Sequence, residues 1–161
     1  MPGMHTLARS AADTEAVGAS LARALPEPAP LSVLALTGEL GAGKTTVVRG
    51  LLRALGFSAP VRSPTYTLVE LYPLKALTVL HADLYRLRDP AELDLLGLRE
   101  WAQPGFLWCI EWPERGGDRL PPADVTLSLA VVGRAHEIRA TAGSPAGRAW
   151  LTAAAAADGR R

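Results

Sequence analysis

The chain has 161 residues, one cysteine and a formal net charge of +1 from 17 basic and 16 acidic side chains. That length suits a single domain spanning residues 1–161 with a real core. The balanced charge offers no large electrostatic footprint and so disfavours direct nucleic-acid binding, and a lone Cys109 excludes an internal disulfide. No apolar run reaches the roughly twenty residues of a membrane span, and the N-terminus lacks an apolar leader. The expectation is a soluble, cytoplasmic, unprocessed protein with no membrane partner.

In chain order, Ser10 followed by Asp13 predicts an N-cap for a helix over Ala11 to Leu25, which Pro26, Pro28 and Pro30 end. Leu31 to Leu36 is a short apolar run of the kind a buried parallel strand shows. Val47, Val48, Leu51, Leu52 and Leu55 then recur at helical spacing, and Gly56 is a natural stop. The β-branched and aromatic content from Tyr66 to Tyr72 predicts a strand, as does the apolar run Leu77 to His81. Asp89, Pro90 and Glu92 open a short helix whose Leu93, Leu96 and Leu98 face the core. Phe106 to Glu111 is a hydrophobic strand that ends in a carboxylate. Val125 to Val132 and Ala135 to Thr141 flank Gly133-Arg134 as an antiparallel hairpin. A helix begins after Pro145, and its end, from about residue 153, is expected to fray.

Between the strand at Leu31 to Leu36 and the helix that follows lies Gly38-Glu-Leu-Gly41-Ala42-Gly43-Lys44-Thr45, a complete G-x-x-x-x-G-K-[ST] loop. Its glycines allow successive N–H groups to converge on phosphate oxygens, and the helix starting near Lys44 adds its positive end. Lys44 is expected to reach the β- and γ-phosphates, and the Thr45 hydroxyl to ligate Mg²⁺. Lys44 and Lys75 are the only lysines in a chain that otherwise uses arginine. Strand, loop and helix in this order predict an α/β fold of the phosphate-loop NTPase kind, with a mostly parallel central sheet, flanking helices and an antiparallel C-terminal hairpin.

Two carboxylates fit the same chemistry. Glu111, at the end of its strand, reads as a Walker B acid delivered beside Mg²⁺; the alternative is a solvated strand-end glutamate. Asp83 follows the strand that ends at His81, at the edge where the phosphates belong. It could orient water, hold a metal-bound water or act as base, or it could simply cap the turn. His81 fits a local hydrogen-bonding role. The guanine-reading motif [NT]-K-x-D and the transporter signature L-S-G-G-Q are both absent.

Together, the phosphate loop through Thr46, Ser63-Pro-Thr-Tyr-Thr-Leu-Val-Glu70, His81-Ala-Asp83-Leu-Tyr-Arg86-Leu and Ile110-Glu-Trp-Pro-Glu114 closely resemble the TsaE family. The resemblance runs from about Ser10 to Ala140. It implies a bacterial ATPase that binds ATP or ADP with Mg²⁺ and works with the TsaB and TsaD proteins. Their joint product is N6-threonylcarbamoyladenosine (t6A) at position 37 of tRNA, with tRNA met through the complex. It further implies nucleotide contacts at Gly41, Ala42, Gly43, Lys44, Thr45 and Thr46, and catalytic roles for Lys44, Glu111 and Asp83. Thr45 and Glu111 become the metal residues, Trp112 a neighbour of the nucleotide, Thr65 part of a γ-phosphate switch and Thr14 the counterpart of an adenine contact. Tyr66 and Ala82 stand where the family commonly has phenylalanine.

No arginine finger is evident: Arg62, Arg86, Arg88 and Arg115 are candidates that could equally be solvated. Turnover by the isolated chain is therefore expected to be slow and stimulated in trans, with hydrolysis resetting the complex between rounds. Two rival readings follow from the same loop. In one, nucleotide only gates assembly and hydrolysis is not required; in the other, the chain is a small-molecule kinase, for which Arg86 and Arg88 alone make a poor lid.

Overall fold

A computed structural model of the chain describes residues 3–158. Its strands are β1 (Gly3–Ala8), β2 (Ser32–Thr37), β3 (Val69–Pro73), β4 (Thr78–Asp83), β5 (Phe106–Glu111), β6 (Val125–Val132) and β7 (Ala135–Ala142). Its α-helices are α1 (Ala11–Arg23), α2 (Lys44–Ala54) and α3 (Pro145–Asp158). The seven strands form one sheet in the order β1-β7-β6-β2-β5-β4-β3. β6, β2, β5 and β4 are mutually parallel, whereas β7, β1 and β3 join antiparallel. The expected mostly parallel centre and the C-terminal hairpin are both present.

The period-2 alternation of the central strands divides two cores. Leu34, Leu36, Val79, Leu107 and Cys109 pack on the helical face with Val47, Val48, Leu51 and Leu52 of α2. Val33, Leu80, Ala82, Trp108 and Ile110 pack on the other face, under the 3₁₀ turns Pro90–Leu96 and Leu98–Trp101. There Leu93 and Leu98 are buried and Leu96 is half-buried. The odd-numbered ends of β4 and β5 therefore belong to the helical face, which places His81, Asp83 and Glu111 on the side where α2 begins.

Local signals act as the sequence predicts. Ser10 Oγ accepts from the Asp13 amide at 3.1 Å, and Asp13 in return accepts from the Arg9 amide at 3.0 Å. Asp89 and Glu92 form a reciprocal cap in the same way, and the backbone amides of Asp89 and Arg88 lower the Glu92 pKa. α3 is tied to α1 by Trp150 Nε1, which donates to the Leu21 carbonyl at 2.8 Å. The expected fraying of the C-terminal tail concerns in part residues 159–161, which lie outside the described residues; up to Asp158 the chain is helical.

Three local expectations change. β1 has no strong signal in the sequence, yet it pairs with β7 along its whole length and closes that edge. The strand expected from Tyr66 begins only at Val69: residues 65–67 form a turn, and Leu68 has φ of 68°. Leu68, opposite Asp83, still accepts from its amide but turns the chain out of the ladder with its positive φ, and β4 ends at Asp83, so Tyr66 and Thr67 have no strand to join. Asp83, expected just beyond its strand, is the last residue of β4.

α1 and α2 cross where two glycines let their backbones touch. A Cβ on Gly18 would lie 2.0 Å from the Val47 carbonyl oxygen, and one on Gly50 2.0 Å from that of Glu15. Neither neighbour is a flexible side chain, so alanine at either site must push α2 away. We expect Gly50→Ala to destabilise the protein by at least about 2 kcal/mol in urea unfolding; a change within about 0.5 kcal/mol would show that the helix pair is free to separate.

Candidate nucleotide-binding site

A cleft of ≈ 400 Å³ opens at the carboxyl edge of the parallel strands. The loop between β2 and α2 forms its floor. Gly43, with φ of 110°, caps α2 in the left-handed region; a Cβ there would lie 3.4 Å from Thr14 Cγ2 and 3.5 Å from His136 Nδ1. The loop is held from both sides: the Ala42 amide donates to the Glu39 carbonyl at 3.1 Å, and His136 Nδ1 donates to the Ala42 carbonyl at 2.6 Å. A carbonyl can only accept, so the proton on that ring nitrogen is fixed by geometry.

Lys44 is 5% exposed. Its Nζ donates to the Gly38 carbonyl and, at 2.9 Å, to that of Glu39, and it lies 4.4 Å from the centre of the Trp112 ring. Burial lowers its pKa from the usual 10.5, against the opposing pull of Glu111 and Asp83. Trp112 is in turn 5.0 Å from Tyr85, and Arg115 stacks over both rings.

Thr45, the next residue of α2, faces the end of β5. Its hydroxyl lies 3.1 and 2.9 Å from the two Glu111 carboxylate oxygens, and His81 Nε2 lies 2.6 Å from Glu111 Oε2. Glu111 is 3% exposed. Asp83 sits beside it on β4, paired with Glu111 in the ladder. Ser63 Oγ donates to Asp83 Oδ2, and the Tyr85 amide donates to Oδ1 at 3.0 Å. The Asp83 amide donates to the Leu68 carbonyl at 2.9 Å, so backbone and side chain of Asp83 are both tied to residues 63–68.

This donor set fits a hard divalent cation that shares its shell with phosphate and water. Among the described residues, no three His, Cys, Asp or Glu side chains cluster to hold a metal unaided. Thr45 Oγ1 and Glu111 supply two oxygen positions, the pattern of Mg²⁺ sites completed by nucleotide phosphates. When the Thr45 hydroxyl gives its proton to Glu111, its lone pairs remain available to a cation.

The structure thus brings Gly41, Gly43, Lys44, Thr45, Thr46, Asp83, Glu111, Trp112 and Thr14 into one cleft, with Ser63 and Thr65 at its rim. Ala42 is buried under the loop and is not part of the lining. Thr14 is buried, and its hydroxyl donates to the Ser10 carbonyl at 3.4 Å. The four candidate finger arginines do not line the cleft: Arg115 stacks on Tyr85 and Trp112, and Arg86 on Tyr66. Arg9 and Arg134 line it instead, beside His136. The sequence reading missed these three because their positions depend on β1 and on the tip of the β6–β7 hairpin.

Comparison with known proteins places the chain in a family. The family model described as "Threonylcarbamoyl adenosine biosynthesis protein TsaE" matches residues 8–139. The tRNA threonylcarbamoyladenosine biosynthesis protein TsaE of Haemophilus influenzae is 42% identical over 118 residues, which cover 73% of this chain and 75% of that one. The protein of the same name from Treponema pallidum is 40% identical over 129 residues, covering 80% and 93%. The crystal structure of Bacillus subtilis YdiB superposes with a TM-score of 0.79 at 26% identity, covering 97% of this chain and 96% of that one. With the family model running from the end of β1 into β7, and with relatives 42% and 40% identical over 73% and 80% of its length, the chain belongs to the TsaE family.

Proposed function

We propose that the chain is the ATPase of bacterial t6A biosynthesis, hydrolysing ATP with Mg²⁺ and working with TsaB and TsaD on tRNA position 37. The observation that carries this reading is the convergence of Lys44, Thr45, Glu111 and Asp83 on one cleft at the carboxyl edge of the sheet. Lys44 exchanges the Gly38 and Glu39 carbonyls for β- and γ-phosphate oxygens, a better partner for a buried ammonium. The amides from Gly41 to Thr46 and the start of α2 take the remaining phosphate charge. Thr45 and Glu111 would hold the cation, which when bound would neutralise phosphate charge. Asp83 orients a water whose oxygen attacks the γ-phosphorus as the bond to the β-phosphate oxygen breaks. Trp112 and Thr14 flank the nucleotide.

One feature supports slow turnover by the chain alone. Asp83 already accepts from Ser63 and from the Tyr85 amide, which leaves one lone pair on each oxygen for a water, so the aim of that water depends on where residues 63–68 hold the carboxylate. The cleft is lined by Arg9 and Arg134 and by none of Arg62, Arg86, Arg88 and Arg115, so a guanidinium contact to nucleotide within the chain falls to the first two. A partner that moves residues 63–68, and with them the aim of Asp83, would raise the rate, and the TsaB–TsaD pair fits that need. A cytoplasmic site of action belongs to the same proposal; among the described residues, no helix is long and apolar enough to cross a membrane.

The deciding experiment measures ATP hydrolysis by the purified chain with and without TsaB–TsaD, with Lys44→Ala as the blank. We expect stimulation of at least about 10²-fold by the pair. Brisk unstimulated turnover would point to an autonomous ATPase, and phosphate transfer to a small acceptor to a kinase. Asp83→Asn is expected to keep ATP binding and to lower stimulated hydrolysis about 10²-fold. If it instead leaves t6A formation intact while Lys44→Ala abolishes it, nucleotide acts only in assembly.

The depressed Lys44 pKa gives a second test. The free protein loses the Lys44 proton at a lower pH than 10.5, whereas bound phosphates favour the charged form. ATP affinity should therefore fall as pH rises through the alkaline range below 10.5, with net proton uptake on binding. Calorimetry in buffers of different ionisation enthalpy reads that uptake; in Lys44→Arg it should disappear, because arginine stays charged.

A further inference from the structure

We infer that His81 is a positioning residue for the cation site: it fixes the Glu111 carboxylate from within the core, so that Mg²⁺ dependence of ATP binding is set partly by a side chain that never reaches the cleft. This deepens the proposed function and rests on its reading of Glu111.

The geometry is specific. His81 is 0% exposed and does not line the cleft, whereas Glu111 does. Both residues are on the helical face of adjacent parallel strands, His81 opposite Cys109 and Glu111 two residues further along β5. The ring thus lies beneath the carboxylate, and its Nε2 is 2.6 Å from Oε2. Nδ1 is buried with no hydrogen-bond partner among the described residues. A proton on Nδ1 would have no acceptor, so the ring proton belongs on Nε2, donated to Glu111. Thr45 Oγ1 approaches the same carboxylate from the cleft side.

A histidine confined to a core role is an expensive choice here. Its neighbours in the strand, Val79 and Leu80, show that aliphatic side chains fit β4 on both faces, and they leave no ring nitrogen without a partner. The polar contact that the ring makes is with Glu111. Held at Oε2 by His81, the carboxylate keeps Oε1 free of the ring for the cation or its waters. Outer partners of this kind typically change metal affinity 10- to 100-fold when removed.

The test is the Mg²⁺ dependence of ATP affinity, read by calorimetry on the full chain. His81→Leu removes the donor, His81→Asn places its amide near the Nδ1 position, and His81→Gln can return an N–H to the Nε2 position. We expect Leu and Asn to raise the Mg²⁺ concentration for half-maximal gain in ATP affinity about tenfold or more, while Mg²⁺-free ATP affinity stays within about twofold. Gln should recover most of the loss. In a Glu111→Gln background, His81→Asn should shift the Mg²⁺ midpoint no further, the signature of a coupled pair. If His81→Leu does not fold, the Asn and Gln variants decide. Equal effects of Asn and Gln, or loss of melting temperature with an unchanged Mg²⁺ midpoint, would overturn the inference and leave a structural histidine. A wild-type chain whose ATP binding ignores Mg²⁺ would remove the proposed function and this inference together.

Discussion

Parallel pairing of β5 with β2 on one side and β4 on the other sets Leu36, Glu111 and Asp83 at one level of the sheet. The chain leaves β2 one residue later, at Thr37, and curls directly into the loop that ends at Lys44 and Thr45. A one-residue slip of β5 would turn Glu111 to the opposite face and bring Ile110 to the cleft. The alternation of Leu107 and Cys109 against Trp108 and Ile110 opposes that slip, because each pair fills a different core. Site geometry and core packing are thus fixed by the same register.

That register gathers buried charge of both signs. Lys44, Asp83 and Glu111 are each at most 5% exposed. Removing such groups from water is costly unless each finds partners, and here each does: carbonyls for the ammonium, hydroxyls, an imidazole and an amide for the carboxylates. The lowered Lys44 pKa shows that the balance is incomplete, since burial outweighs the attraction of both acids. On the proposed reading, phosphate oxygens take the place of the Gly38 and Glu39 carbonyls at that ammonium.

Much of this was legible in the sequence because the relevant signals are local. The phosphate loop, the caps at Ser10 and Asp89, and the apolar run that ends at Glu111 depend on residues a few positions apart. What stayed hidden depends on distant pairing. β1 exists because β7 offers an edge, and from there Arg9 and the hairpin residues Arg134 and His136 reach the cleft. The false start of β3 has the opposite cause: Tyr66 and Thr67 have strand-like side chains, but β4 ends before it could pair with them. The His81–Glu111 contact lies between, since period-2 counting places both on one face only once the strands are known to be adjacent.

The two carboxylates are held by different parts of the protein, and this separates their roles physically. Glu111 is gripped from below by a fully buried ring and from the side by the first turn of α2, both parts of the core. Asp83 is gripped by Ser63 and Leu68, the ends of a short segment whose Tyr66 is 82% exposed and carries Arg86 on its ring. Local opening of such a segment costs far less than opening the core. On the proposed reading, the metal end of the reaction is therefore built into the fold, while the water end follows a surface loop. A partner that binds over Tyr66 needs to move only residues 63–68 to re-aim Asp83, and it leaves the cation site undisturbed. Partner control of hydrolysis would then act on the rate of the chemical step with little change in nucleotide affinity, because the groups that hold phosphate and cation do not move.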